Sequence, residues 1–331
     1  MRCAVVGAGA WGTALADVLT RNGHETLLWS LEADVAESIN ESQENKRFLS
    51  GLPLSRDLRA TNDQAEAVAG AELVVFATPS EHLRRVASEC RAAVQNGAIA
   101  VVASKGIERR SLALMTEVVG EELAEHTVVG ISGPSFAAEV VAQQPTAIVA
   151  ASRDARAARV AQATLSSRAF RVYTNADVVG VELGGSLKNV MAVATGIVEG
   201  CGLGHNSRAA LITRGLHEMT RLGVAMNAQA ATFDGLAGLG DLVLTCTGGL
   251  SRNRAIGIEI GKGATLEEAL KGKQTVAEGV VTAASALELA RRHAVDMPIV
   301  EMANRILFEG HAARDAVGEL MKRELRSEQD L

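Results

Sequence analysis

The sequence predicts an α/β protein: a doubly wound, largely parallel sheet over residues 1–176, followed by an all-helical part over residues 177–331. Three observations carry this. The first twenty residues run from an apolar stretch through a glycine-rich turn into a helical pattern without a gap. The apolar runs that follow lack the alternation of a half-exposed strand, as expected for strands covered on both faces. From Asp177 onward apolar residues recur at helical spacing and no convincing strand interrupts them.

Cys3-Ala4-Val5-Val6 is the first strand, Gly7-Ala8-Gly9-Ala10-Trp11-Gly12 the turn, and Thr13 to Leu19 the start of a helix. Gly7 permits a tight turn, Gly9 lets a ligand approach the backbone, and Gly12 lets the helix lie close to the strand. A G-x-G-x-x-G in this setting presents unpaired N–H groups at the positive end of a helix dipole, the arrangement that holds a dinucleotide pyrophosphate. The sheet is therefore of the Rossmann type. Further strands are read at Glu25–Ser30, Glu72–Ala77, Ala98–Ala103, Thr127–Ile131, Thr146–Ala150 and Phe170–Tyr173. Several end in small polar residues, glycine or proline: Thr78-Pro79-Ser80, Ser104-Lys105-Gly106, and Ser132-Gly133-Pro134-Ser135. In open α/β sheets ligands bind beyond these carboxyl ends.

The second part reads as helices over Val178–Glu199, Ala209–Leu222, Thr265–Leu270, Val276–Arg292, Ile299–Leu307 and Arg314–Arg326, with a long loop or broken helix from Gly235 to Gly249. Two domains suit 331 residues, since a single core stops growing below that length. The net charge of −6 and the lack of a Lys/Arg block argue against nucleic acid or an anionic membrane as partner. No apolar run reaches the length of a membrane span. The chain opens directly into a strand, leaving no room for a signal peptide. Cys3, Cys90, Cys201 and Cys246 are far apart, without metal or disulfide spacing, and fit a reduced, cytoplasmic compartment. None of the seven histidines forms a metal-type pair, His205 and His217 included, and no metal is assigned.

Two segments of the helical part carry candidate chemistry. In Glu182-Leu183-Gly184-Gly185-Ser186-Leu187-Lys188-Asn189, both glycines lie beside Lys188 on one helix face. Each costs up to about 1 kcal/mol against alanine, so something must approach the backbone there. The alternatives for Lys188 are a reactive amine or a side chain that snorkels to solvent. In the second segment Asp241 stands in an apolar, glycine-rich setting. Ser251-Arg252-Asn253-Arg254 follows, and reads either as a solvated turn or as guanidiniums set to grip a phosphate.

Together these segments resemble a family. Residues 7–16, Ser104–Ile107, Ser132–Ala137, Gly180–Asn189, Ala209–Gly215 and Gly238–Leu242 are similar to the bacterial NAD(P)-dependent glycerol-3-phosphate dehydrogenases, and the motifs run in family order nearly to the end of the chain. The resemblance implies reversible reduction of dihydroxyacetone phosphate to sn-glycerol 3-phosphate, supplying phospholipid synthesis. It makes Lys188 the residue that gives the nascent alkoxide its proton. Burial or a nearby cation such as Lys105 would ease that transfer, while Asp241 would orient Lys188 and oppose the shift. The substrate phosphate would lie against Ser251, Arg252 and Asn253, with Asn189 and Thr245 in support and Lys105, Gly133 and Ser135 bordering the substrate. Gly7, Gly9, Ala10, Trp11, Gly12, Leu31, Lys105, Ala137, Arg252, Val276 and Glu278 would border the cofactor. A homodimer is implied as well.

One departure concerns the cofactor. Many members have a basic residue where Leu31 stands, and here Glu32 follows, twenty residues after Gly12. An acid at that spacing binds the ribose hydroxyls of NAD and repels the extra phosphate of NADP. Glu32 pointing to solvent, or Arg47 reaching a 2′-phosphate, would weaken the preference for NAD. Position 10 is alanine where the family often has serine. Two other readings are a β-hydroxyacid dehydrogenase, with Arg252 holding a carboxylate, and a non-catalytic NAD(H)-sensing regulator.

Overall fold

The computed structural model describes residues 1–272, 277–322, 324 and 327. By internal contacts the chain divides into two units, Met1–Lys105 with Ala113–Glu182, and Gly106–Leu112 with Leu183–Leu331.

The first unit is built on eight strands: β1 (Arg2–Val6), β2 (Glu25–Trp29), β3 (Arg59–Thr61), β4 (Leu73–Phe76), β5 (Ile99–Val102), β6 (Thr127–Ser132), β7 (Thr146–Ala151) and β8 (Phe170–Asn175). Their order, β3-β2-β1-β4-β5-β6-β7-β8, winds outward in both directions from β1, as in a doubly wound sheet. Seven helices accompany them: α1 (Ala10–Arg21), α2 (Ala33–Ser42), α3 (Gln64–Val68), α4 (Leu83–Cys90), α5 (Met115–Glu122), α6 (Ala137–Val141) and α7 (Ala155–Leu165). Successive strand residues go to opposite faces. Val5, Val75, Val101 and Val129 join a core on one side, while Ala4, Val6, Val74, Phe76 and Val102 join a core on the other. Both faces are covered, which is why the strands read as unbroken apolar runs.

Two features depart from the sequence reading. β3 is only three residues long, too short to leave a pattern, yet it pairs in register with β2. And β7 runs antiparallel to β6. The connecting helix α6 has five residues, about 7.5 Å of rise, too little to return the chain past a strand of roughly 20 Å.

Helix α8 (Val178–Gly200) begins in the first unit and continues in the second. The second unit then contains α9 (His205–Ala225), α10 (Ala230–Phe233), a single π turn at Leu236–Gly240, α11 (Asp241–Thr247), α12 (Arg252–Gly261), α13 (Leu266–Leu270), α14 (Glu278–Arg292), α15 (Pro298–Phe308) and α16 (Ala313–Met321). No strand occurs among its described residues. The stretch from Gly235 to Gly249 is thus a broken helix, π and then α, rather than a loop. The start of α14 falls at Glu278, and Val276, where the sequence reading began that helix, lies outside the described residues.

Two of the helices whose N-cap residue bears no side-chain oxygen are capped from a distance. α5 follows Leu114, and the Glu182 carboxylate accepts from the Thr116 backbone N–H at 2.9 Å and from the Thr116 hydroxyl. α15 follows Met297, and Glu218 accepts from Ile299 N–H at 2.8 Å and Val300 N–H at 3.3 Å. Each carboxylate satisfies N–H groups that a helix start leaves orphaned. Burial pushes both acids up to about 7, against the hydrogen bonds, which act the other way.

Among the described residues no helix is long and apolar enough to cross a membrane, no cluster of His, Cys, Asp and Glu could hold a metal, and all four cysteines are free.

Candidate active site

In the first unit the candidate residues gather at the carboxyl ends of the strands. Gly7 sits at φ +117°, where a side chain is strained, and donates its N–H to Trp29 O at 3.1 Å. A Cβ at Gly12 would run into the Gly7 carbonyl oxygen, so α1 lies against the turn as closely as the sequence implied. Gly9 has nothing within 4 Å of its would-be Cβ; it faces open space and N-caps α1 without a side-chain acceptor. The first-turn N–H groups of α1 thus have no side-chain cap, as an anion site requires. Asn45 is fully buried and holds the turn, donating at 2.8 Å to both Ala8 O and the Thr13 hydroxyl. Sequence reasoning missed it.

Ala10 and Trp11 open α1, Lys105 follows β5, and Ser135 and Ala137 follow β6. Gly133 adopts φ +142°, and its carbonyl accepts from the Ser135 hydroxyl at 2.9 Å. Three buried polar atoms at this edge lack a protein partner: Trp11 Nε1, Thr78 Oγ1 and Ser132 Oγ. Open space at Gly9, an uncapped helix start and polar atoms in want of partners are what a bound dinucleotide would complete.

Beyond β2, Leu31 is 70% exposed. The Glu32 carboxylate is turned back toward Ser30, whose hydroxyl donates to it at 3.3 Å. Arg47 does lie at this strand end. It is held between Glu32 at 3.9 Å and Asp34 at 3.8 Å, and it stacks over Phe48 with its guanidinium 5.3 Å from the ring centroid.

In the second unit the cluster forms around α8. Lys188 is buried, and its ammonium is paired with the fully buried Asp241 carboxylate at the start of α11. The snorkelling alternative is therefore excluded. Thr245, one turn on, donates to the Asp241 backbone carbonyl at 2.6 Å and stands 3.4 Å from its carboxylate. What approaches Gly184, four residues before Lys188, is backbone: a Cβ there would meet the Ala237 carbonyl of the π turn. The irregular turn and the helical glycine are thus one device, which brings Asp241 to Lys188.

Ser251 is not part of a solvated turn. It is buried and N-caps α12, accepting from Arg254 N–H at 3.3 Å. Asn253 donates to Asn189 Oδ1 at 3.0 Å and accepts from the Gly279 N–H at 3.0 Å, linking α8, α12 and the start of α14. Desolvation lowers the Arg252 pKa from its usual value, and the Glu278 carboxylate, close enough to influence it, acts against that shift. Arg254 is not available as a second phosphate fork, because it is committed to Glu199.

Comparison with known proteins bears on this arrangement. The family model described as NAD-dependent glycerol-3-phosphate dehydrogenase N-terminus matches residues 2–158, and the corresponding C-terminus model matches residues 177–318. A glycerol-3-phosphate dehydrogenase [NAD(P)+] of Citrifermentans bemidjiense is 51% identical over 99% of this chain and 98% of its own. One from Syntrophotalea carbinolica is 50% identical over the whole of both chains. The crystal structure of glycerol-3-phosphate dehydrogenase from Coxiella burnetii superposes with a TM-score of 0.93 at 40% identity, covering 97% of this chain and 99% of that one.

Proposed function

The chain belongs to the NAD-dependent glycerol-3-phosphate dehydrogenase family, and from that membership we propose the roles its residues take. It is an NAD(P)-dependent enzyme that reversibly reduces dihydroxyacetone phosphate to sn-glycerol 3-phosphate. When bound, the dinucleotide supplies the hydride that adds to the substrate carbonyl carbon.

The observation that carries the assignment of roles is the buried Lys188–Asp241 pair. As the carbonyl carbon gains hydride its oxygen becomes an alkoxide, and an ammonium held in place is the proton donor it needs. Asp241 fixes that ammonium and Thr245 steadies Asp241. Arg252 supplies a fork-shaped cation for the substrate phosphate. The Asn189 carbonyl is taken by Asn253, which directs the Asn189 amide N–H groups outward as further phosphate donors. Ser251 acts by starting α12 where Arg252 and Asn253 are needed. Lys105, Gly133 and Ser135 border the substrate from the first unit.

Gly7, Gly9, Ala10, Trp11 and Gly12 hold the pyrophosphate end of the dinucleotide, Leu31 and Glu32 meet the adenosine ribose, and Lys105, Ala137, Arg252 and Glu278 border the rest. An acid turned toward the β2 end, with Arg47 already engaged by two carboxylates, favours NAD(H) over NADP(H). The enzyme works as a cytoplasmic homodimer and supplies glycerol phosphate for phospholipid synthesis. Absorbance of the reduced nicotinamide, followed with dihydroxyacetone phosphate plus NADH or NADPH and with a 3-hydroxy acid plus NAD or NADP, tests the reading. The expected result is turnover of the ketone phosphate alone, with higher kcat/KM for NADH. Oxidation of the 3-hydroxy acid in its place would refute the substrate, and an equal or higher value with NADPH would refute the preference.

A further inference from the structure

We propose that Glu199 and Arg254 are positioning residues that set the strength of the phosphate grip by locking α12 against α8. The inference rests on Arg252 and Asn253 serving the substrate phosphate. It concerns two residues that the reaction itself does not use.

The two helices cross backbone to backbone. A Cβ at Gly196 would collide with the Arg254 carbonyl and lie 2.9 Å from the Gly257 Cα, and one at Gly200 would collide with the Ile258 carbonyl and lie 2.9 Å from the Gly261 Cα. From the other side, Gly257 and Gly261 abut the carbonyls of Val193 and Ile197. Four glycines inside helices cost roughly 1 kcal/mol each against alanine, a cost accepted only where close approach is required. The pairing of Gly196 with Gly257 and Gly200 with Gly261 shows that the helices run in the same direction.

Glycine contacts resist separation poorly and sliding hardly at all, because they offer no knob for a hole. The side chains that prevent sliding are two neighbours on α12 that reach in opposite directions along α8. Asn253 reaches back to Asn189 at 3.0 Å. Arg254 reaches forward to Glu199, donating Nη2 to both carboxylate oxygens at 2.7 and 2.6 Å and Nε at 3.1 Å. The anchor points lie ten residues apart, about 15 Å along the helix. An axial shift of α12 either way breaks one of the two. Asn189 follows Lys188 directly and Arg252 precedes Asn253, so the lock fixes the separation between proton donor and phosphate cation. Glu199 also accepts from Arg208 of α9 at 3.3 Å, which keeps its carboxylate from turning away.

The test is steady-state kinetics of the full-length Arg254→Ala and Glu199→Gln enzymes with dihydroxyacetone phosphate and NADH. Loss of a charged, forked bond predicts a rise in KM for the ketone phosphate of about tenfold or more, with kcat and the KM for NADH within roughly threefold of wild type. The inhibition constant of inorganic phosphate against the substrate rises in step. In an Arg252→Ala background, adding Arg254→Ala raises that KM by much less than it does in the wild type, because the main cation of the grip it tunes is gone. General loosening of the fold would add in that background, and additivity overturns the inference. So does an unchanged KM, or a loss confined to kcat. Where Arg254→Ala does not fold, Glu199→Gln, which keeps side-chain volume, decides alone by the same readouts. Failure of wild type to turn over dihydroxyacetone phosphate would refute the functional reading and this inference with it. Normal wild-type turnover with unaffected variants refutes this inference only.

Discussion

The cofactor edge of the first unit and the lysine cluster of the second are placed by different physics. At the cofactor edge position is set by backbone: a glycine at positive φ, a glycine that a helix start leaves facing open space, strand ends that a parallel sheet aligns. Around Lys188 position is set by helices pressed together and then fastened by side chains, Lys188 to Asp241, Asn253 to Asn189 and Arg254 to Glu199. Backbone placement is encoded locally, within a dozen residues. Side-chain fastening joins residues more than fifty positions apart.

The largest effect should come from removing the lysine at the centre of the second region. Lys188→Ala is expected to lower kcat by at least about a hundredfold, the scale of a general acid, with the KM for NADH little changed. Wild-type turnover in that variant would break the assignment. The two glycines of the turn sharpen the contrast within the first unit. Gly12→Ala forces a Cβ into the Gly7 carbonyl and should cost roughly 1–3 kcal/mol, read as a lower melting temperature without any ligand. Gly9→Ala points its methyl into open space, so the melting temperature should hold while the KM for NADH rises. Equal behaviour of the two variants would show that Gly9 is not where the pyrophosphate approaches.

The smallest effect concerns Glu218, which caps α15. Burial lifts its carboxyl from 4.5 to about 7, so between those values the folded protein holds more proton than the unfolded chain. Its contribution to stability is fully present below about pH 4.5 and is lost as the pH rises to about 7. Glu218→Gln has nothing to titrate. Between pH 5 and pH 8 the wild-type melting temperature should fall by ~2 °C or more beyond that of the variant. Parallel falls would show that this carboxyl does not carry the shift.

The difference in placement also decides what was legible. The sheet could be read because two-sided burial leaves unbroken apolar runs, and the cofactor turn because its glycines are required by conformation. The three-residue β3 left no pattern, and the antiparallel β7 followed from the length of a helix that the reading did not measure. In the helical unit, the cost of Gly184 signalled a close approach, but not that a π turn makes it. Lys188 and Asp241 stood out by residue type in apolar surroundings, and their pairing came from family resemblance. Nothing local marked Asn45, whose partners lie 32 and 37 residues back in the chain. Nor did anything local reveal that Arg254, two residues after Arg252, serves Glu199 rather than a phosphate.

The helix crossing also carries its own reporter. Cys201, at the end of α8, rests its thiol 3.5 Å from the Gly261 carbonyl, and partial burial raises its pKa. Thiols react as thiolates, so a raised pKa slows alkylation there relative to a free thiol. Cys3, Cys90 and Cys246 are fully buried. With the other three thiols buried, Cys201 is the thiol that a small alkylating reagent meets first, a chemical handle seated directly at the helix crossing.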